Sequence, residues 1–145
     1  MRVVLQRVKH ASVSVDNKLI NKIANGYLLL VAFKYDDTLD NCRLMAKKIA
    51  NLRVFEDSEG KLNCDLKSVN GAILSISQFT LYGDTKKGNR PSFVLSAKSD
   101  VARPLYDAFN DMLKEYDIDV YGGAFGEHME IDLCNDGPVT IILEN

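Results

Sequence analysis

At 145 residues, with 46% apolar and 26% charged side chains, the chain is long enough to bury a substantial core and reads as one soluble domain spanning 1–145. A net charge of −2 argues against a general nucleic-acid binder, so any RNA contact must come from a local patch. The longest apolar run, Tyr27 to Phe33, is far too short to span a membrane, and the opening Met1-Arg2-Val3-Val4-Leu5-Gln6-Arg7 is interrupted by polar residues in a way a signal peptide is not.

In chain order, residues 2–8 and 11–16 read as two strands linked at Lys9-His10, because Ala11, Val13 and Val15 alternate with Ser12, Ser14 and Asp16. Asp16-Asn17-Lys18 is a turn, Leu19 to Ala24 a third strand, and Asn25-Gly26 a second turn signal. Tyr27 to Phe33 reads as a strand buried on both faces. Asp37 or Thr38 caps a helix whose Leu39, Cys42, Met45, Ile49 and Leu52 share one face, leaving Arg43, Lys47 and Lys48 to solvent. Arg53-Val54-Phe55 is a short strand, Asp57 to Lys61 a loop, and Val69-Asn70-Gly71 a turn. Ala72 to Leu81 then reads as one long strand. A basic loop from Gly83 to Pro91 carries Lys86, Lys87 and Arg90. Ser99-Asp100 caps a second helix, Val101 to Tyr116, with Pro104 in its first turn and Val101, Leu105, Ala108, Phe109, Met112 and Tyr116 on its apolar face. Tyr121 to Gly126 is a Gly-rich lead-in to two last strands, Met129–Cys134 and Val139–Leu143. Between those strands, Gly137-Pro138 interrupts the ladder or sits at an edge or bulge, because proline has no N–H to donate.

The order of strands, helix, strands, helix, strands, with hairpin-like links, predicts an α+β fold. Its sheet should be strongly curved, barrel-like and mostly antiparallel, with two helices packed on it. The signals of a parallel doubly wound sheet are missing.

The residues by themselves give no reaction. His10 and His128 stand apart from each other and from any paired cysteine, so no metal site is expected. The three cysteines, Cys42, Cys64 and Cys134, form no even framework and read as reduced thiols of a cytosolic protein. A serine or cysteine triad lacks an adjacent base. Lys86, Lys87 and Arg90 could grip phosphates or simply keep a loop soluble. Gly137-Pro138 could be a hairpin turn, or a functional segment whose carbonyls face a ligand.

Two stretches, Ser77-Gln78-Phe79-Thr80-Leu81 and Asn135-Asp136-Gly137-Pro138-Val139-Thr140, together resemble the signature motifs of the D-aminoacyl-tRNA deacylases. Gln6-Arg7-Val8, Asn51 to Phe55, Lys87 to Phe93, and Phe125-Gly126 with Met129 fit the same pattern, so the resemblance spans nearly the whole chain. Ala32, Gly122, Glu127 and His128 depart from it, outside both signatures. The resemblance implies a cytoplasmic homodimer that hydrolyses the ester between a D-amino acid and the terminal ribose of tRNA, and that also removes mischarged glycine. It implies no cofactor, no metal, no membrane and no DNA partner.

On that basis Gly137 and Pro138, joined by a cis bond, enter the partner subunit's site and exclude L-amino acids by occupying the space of their side chains. Arg7 holds the inserted Gly-Pro loop by hydrogen bonds to its carbonyls, and the Phe125 carbonyl and Met129 line the amino-acid or adenosine pocket. Ser77, Gln78, Phe79 and Thr80 form the catalytic strand end, with main-chain N–H groups as oxyanion donors. The tRNA's own 2′-hydroxyl, rather than a Thr80 nucleophile, assists the water. Lys86, Lys87 and Arg90 contact the backbone of the tRNA acceptor stem. The competing readings are a non-catalytic RNA-binding β domain, an inactive structural dimer, and a general esterase with a side-chain nucleophile.

Overall fold

A computed structural model describes residues 1–145. Its backbone is β1 (Arg2–Val15), β2 (Lys18–Ile23), β3 (Gly26–Ala32), α1 (Leu39–Ala50), β4 (Phe55–Glu56), β5 (Leu62–Cys64), β6 (Ala72–Ser77), α2 (Ser99–Lys114), β7 (Val120–Gly122) and β8 (Glu130–Glu144). The main sheet runs β2-β1-β3-β6-β7, and β8 pairs along the other edge of β1. The Asn21 side-chain amide donates to the Gly122 carbonyl at 2.7 Å, tying β2 to β7 and curling the sheet toward closure as a barrel. β4 and β5 form a separate ribbon.

Where the expected strands 2–8 and 11–16 were to break at Lys9-His10, β1 runs through. The irregularity is absorbed as register shifts against β8, between Gln6 and Val8 and between Val8 and His10. β1 is long enough to pair β3 with its first half and β2 with its second.

Two pairings, β3 with β6 and β6 with β7, are parallel. Each is joined by a segment containing a helix, α1 for the first and α2 for the second, as parallel pairing requires. The hairpin-like links of the first three strands gave no sign of this. Both helices nonetheless pack on one side: Cys42, Met45 and Ile49 of α1 and Leu105, Phe109 and Leu113 of α2 share one core with Leu5, Tyr27 and Leu29. The sheet is therefore mixed, but not doubly wound. Because side chains alternate along β3, its other face turns Leu28 into a second cluster with Val8, Val13, Leu74 and Ile76. That second face carries the cleft described below.

Several boundaries differ from the local reading. Thr38 caps α1: its N–H and hydroxyl both donate to the Asn41 side-chain oxygen at 2.9 Å. Asp37 instead receives the Met1 ammonium and the Lys34 N–H. Leu39 and Val101 lie on the predicted apolar faces but are exposed, since each sits in a first helical turn beyond the core's edge. α2 begins at Ser99 with Lys98 as its cap, so Pro104 falls in the second turn rather than the first. The carbonyl it deprives of a partner belongs to Asp100, which is exposed and can be hydrated. α2 stops at Lys114, before Tyr116.

Candidate active site

β6 ends at Ser77, not Leu81, and the chain passes through Gln78 into a 3₁₀ turn, Phe79–Tyr82. The Gln78 N–H makes the last ladder-like bond, to the Val31 carbonyl at 2.8 Å. That bond removes Gln78 from the expected oxyanion donors. The N–H groups of Phe79 and Thr80 open the 3₁₀ turn, where the turn itself offers no acceptor. The Thr80 hydroxyl accepts a 2.6 Å bond from the Gln78 side-chain amide. An amide cannot take a proton, so this partner gives Thr80 no activation as a nucleophile.

Beside this strand end lies a cleft of about 760 Å³. Leu28, Leu30, Ile76, Phe125 and Met129 give it an apolar lining, and Ser77, Gln78 and Phe79 border it where β6 ends. Gly123 N–H donates to the Ser75 carbonyl at 2.9 Å, which docks the Gly-rich segment onto β6. A Cβ at Gly123 would stand 2.7 Å from the Met129 sulfur, so glycine there lets Met129 lie against the sheet. Tyr106 of α2 donates to the same Ser75 carbonyl at 2.6 Å and packs on the Phe125 ring at 5.8 Å. Burial pushes the Tyr106 hydroxyl pKa up. The cleft also borders Gln6, Lys98, Ser99, Glu127 and His128, none of them expected from sequence apart from the departures at 127 and 128. Gln6 lies in one of the stretches that carry the family resemblance, whereas Lys98 and Ser99 had no signal beyond their place at the start of an amphipathic helix.

Gly137 and Pro138 do not line this cleft. β8 runs on through them as a bulge: Gln6 pairs Thr140 and Val8 pairs Asn135, leaving Asp136 to Val139 looped out opposite Arg7. The Gly137–Pro138 peptide is cis, and both residues are exposed. The bulge is bracketed by Asn135, whose side-chain oxygen accepts the Val139 N–H at 2.9 Å while its amide donates to Thr140 Oγ1 at 3.0 Å. Gly137 has φ +130, and a Cβ there would meet Val139 Cγ2 at 2.9 Å and Arg7 Nη2 at 3.1 Å.

Arg7 is 5% exposed. Its Nε donates to the Asp136 carbonyl at 2.9 Å and its Nη1 to the Val54 carbonyl at 2.8 Å. The bulge is thus held through Asp136, rather than through the carbonyls of Gly137 or Pro138. Arg7 also ties it to the segment after α1. Lys86, Lys87 and Arg90 are exposed in the loop beyond the 3₁₀ turn, and none forms an ion pair.

The structure therefore brings together Ser77, Gln78, Phe79, Phe125 and Met129, and sets Arg7, Gly137 and Pro138 in a second group. Residues 4–144 match the sequence pattern of the family described as D-Tyr-tRNA(Tyr) deacylase. The chain belongs to that family of hydrolases. It is 58% identical over 144 residues to the D-aminoacyl-tRNA deacylase of Limosilactobacillus reuteri (strain DSM 20016), covering 99% of each chain. It is 57% identical to that of Exiguobacterium sibiricum, with the same coverage. Among solved structures, one described as c-Myc DNA Unwinding Element Binding Protein superposes with a TM-score of 0.93 at 38% identity, covering 100% of this chain and 99% of that one. A probable eukaryotic D-amino acid tRNA deacylase gives a TM-score of 0.86 at 20% identity, covering 98% and 97%, a likeness of fold. No helix is long and apolar enough to cross a membrane.

Proposed function

We propose that the protein hydrolyses the ester of D-aminoacyl-tRNA, and of glycyl-tRNA, in the cleft beside Ser77 to Thr80. The observation that carries this reading is the division of the family's two motifs. One borders the cleft; the other is an exposed, rigidly braced bulge outside it. A braced bulge that does not reach its own cleft has its use in the cleft of a second copy. Gly137 and Pro138 of one protomer would enter the partner's cleft and present main-chain carbonyls to the substrate's α-ammonium. An L side chain would collide with them, while a D side chain or glycine would not. The free edge of β8, with Ile142 67% exposed, is suited to cover by that second copy.

For the chemical step, the N–H groups of Phe79 and Thr80 are the candidate donors to the developing oxyanion. The tRNA's own 2′-hydroxyl would position or activate the attacking water, so no side chain need carry the proton. Lys86, Lys87 and Arg90 would hold phosphates of the RNA, consistent with a local patch on a chain of net charge −2. The deciding experiment incubates the protein with D-tyrosyl-tRNA, L-tyrosyl-tRNA and glycyl-tRNA. Release from the first and third alone is expected. Release of none would return the protein to the reading of a non-catalytic RNA-binding β domain.

A further inference from the structure

Residues 83–96 fold as a small hairpin at the mouth of the cleft. Asp84 and Ser92 exchange backbone bonds of 2.8 and 2.9 Å. Its base is locked: Ser96 Oγ donates to the Phe79 carbonyl at 2.9 Å, and the Ala97 N–H to the Phe33 carbonyl at 2.8 Å. The Phe93 ring meets the Phe79 ring edge-on at 5.1 Å. On this fixed backbone the apolar side chains stay in solvent: Phe93 is 36% exposed, Val94 84%, Leu95 48% and Phe79 57%. Burying them further would be favourable, and the chain covers Phe79, Phe93 and Leu95 only in part and Val94 hardly at all. The same hairpin carries Lys86, Lys87 and Arg90, exposed and without ion-pair partners.

An apolar shelf beside unpaired cations makes two demands on a ligand: flat apolar faces and negative charge. A second copy docked hairpin to hairpin would bring like cations together. An RNA duplex offers phosphates but hides its base faces in the stack. Unpaired nucleotides offer both at once. The shelf is also continuous with the cleft, since Phe79 and Ala97 border both. We propose that Phe93, Val94 and Leu95 support the bases of the unpaired nucleotides that precede the esterified one, while Lys86, Lys87 and Arg90 hold their phosphates. The proposal rests on the aminoacyl-tRNA reading of the cleft.

The test uses the full chain and the double variant Val94→Ser/Leu95→Ser, whose exposed positions lie outside the cleft. Binding is followed by anisotropy with a labelled single-stranded RNA tetranucleotide ending in CCA and with a blunt RNA duplex. Hydrolysis is followed on D-tyrosyl-tRNA and on the 3′-D-tyrosyl ester of adenosine, which lacks the preceding nucleotides. The wild type should prefer the single strand. The variant should bind it about tenfold more weakly, with a similar rise in KM for D-tyrosyl-tRNA. Its rate on the adenosine ester, its melting temperature and its sedimentation should be unchanged. Unchanged RNA binding, equal loss on both esters, or a changed sedimentation coefficient would each overturn the proposal, the last by assigning the shelf to a second copy. If the wild type hydrolyses neither ester, the reading of the cleft fails, and the binding titration still decides the shelf.

Discussion

Replacing Arg7 with Met keeps most of the side chain's length and removes its guanidinium. In the structure that group donates two bonds, to the carbonyls of Asp136 and Val54. Bonds with a charged donor contribute about 1.5–3 kcal/mol each, a gross loss of about 3–6 kcal/mol. The nearby carboxylates add little. Asp136 Oδ2 and Glu56 Oε1 stand at 3.6 and 3.8 Å, and their side chains are 35% and 59% exposed, so solvent screens them. Against the loss, Met avoids the desolvation of a nearly buried cation, which offsets a kcal/mol or two. The expected net destabilisation is about 2–4 kcal/mol. Urea unfolding followed by circular dichroism measures it, with an unchanged m-value as the sign that only stability moved. The bulge would also lose its tie to the segment after α1, so kcat/KM on D-tyrosyl-tRNA should fall at least about tenfold, 1.4 kcal/mol in the barrier. Arg7→Lys should fall between, with one donor retained. If Arg7→Met unfolds within about 0.5 kcal/mol of wild type and keeps full activity, the Asn135 bracket alone holds the bulge, and the role given to Arg7 is wrong.

Gly137→Ala puts a Cβ 2.9 Å from Val139 Cγ2 at φ +130, so it should cost about 1–3 kcal/mol and depress deacylation sharply; a fully active variant would show that the bulge tolerates rearrangement. Thr80→Ala loses one exposed bond, from the Gln78 amide, and should keep kcat within about threefold, whereas abolished turnover with intact tRNA binding would restore a hydroxyl nucleophile. Neutralising Lys86, Lys87 and Arg90 together should weaken binding to all tRNAs and lower the salt slope by about 0.7 to 0.9 for each phosphate no longer neutralised, read from binding isotherms at several salt concentrations. The Cys42 thiol is pushed up to about 11, by burial first and the Asp37 carboxylate second. The folded state then holds this proton more tightly than the unfolded chain, whose thiol titrates near the ordinary 9.0. Its stabilisation is intact below about pH 9 and is lost as pH rises toward 11. Cys42→Ala should flatten the decline of urea midpoint over that window, and an unaltered slope would place the linkage elsewhere.

Much of the fold could be read residue by residue because its causes are local. The alternation in Met129 to Cys134, the helical spacing of Cys42, Met45 and Ile49, and the turn residues at Asp16-Asn17 each declare their conformation within a few positions. The two motifs that carried the family resemblance were legible for the same reason. Each lies in one unbroken stretch. The site was less legible. The bulge opposite Arg7 depends on β1 and β8, whose partners are more than a hundred residues apart. The cleft gathers β3, β6, the start of α2 and residues 125–129.

The sequence by itself determined the two helices and the longer strands, most of their apolar faces, and where proline breaks the ladder, while the short strands β5 and β7 carried no local signal. Only the tertiary structure decided that β6 lies parallel to β3 and β7, and that Gln78 spends its N–H on Val31. It also decided that Gly137 and Pro138 stand outside the cleft bordered by Ser77 to Phe79. Local patterns set torsion preferences and the side on which a residue is buried. The choice of strand partner and register comes from packing between distant segments, and no short window of residues contains both of them.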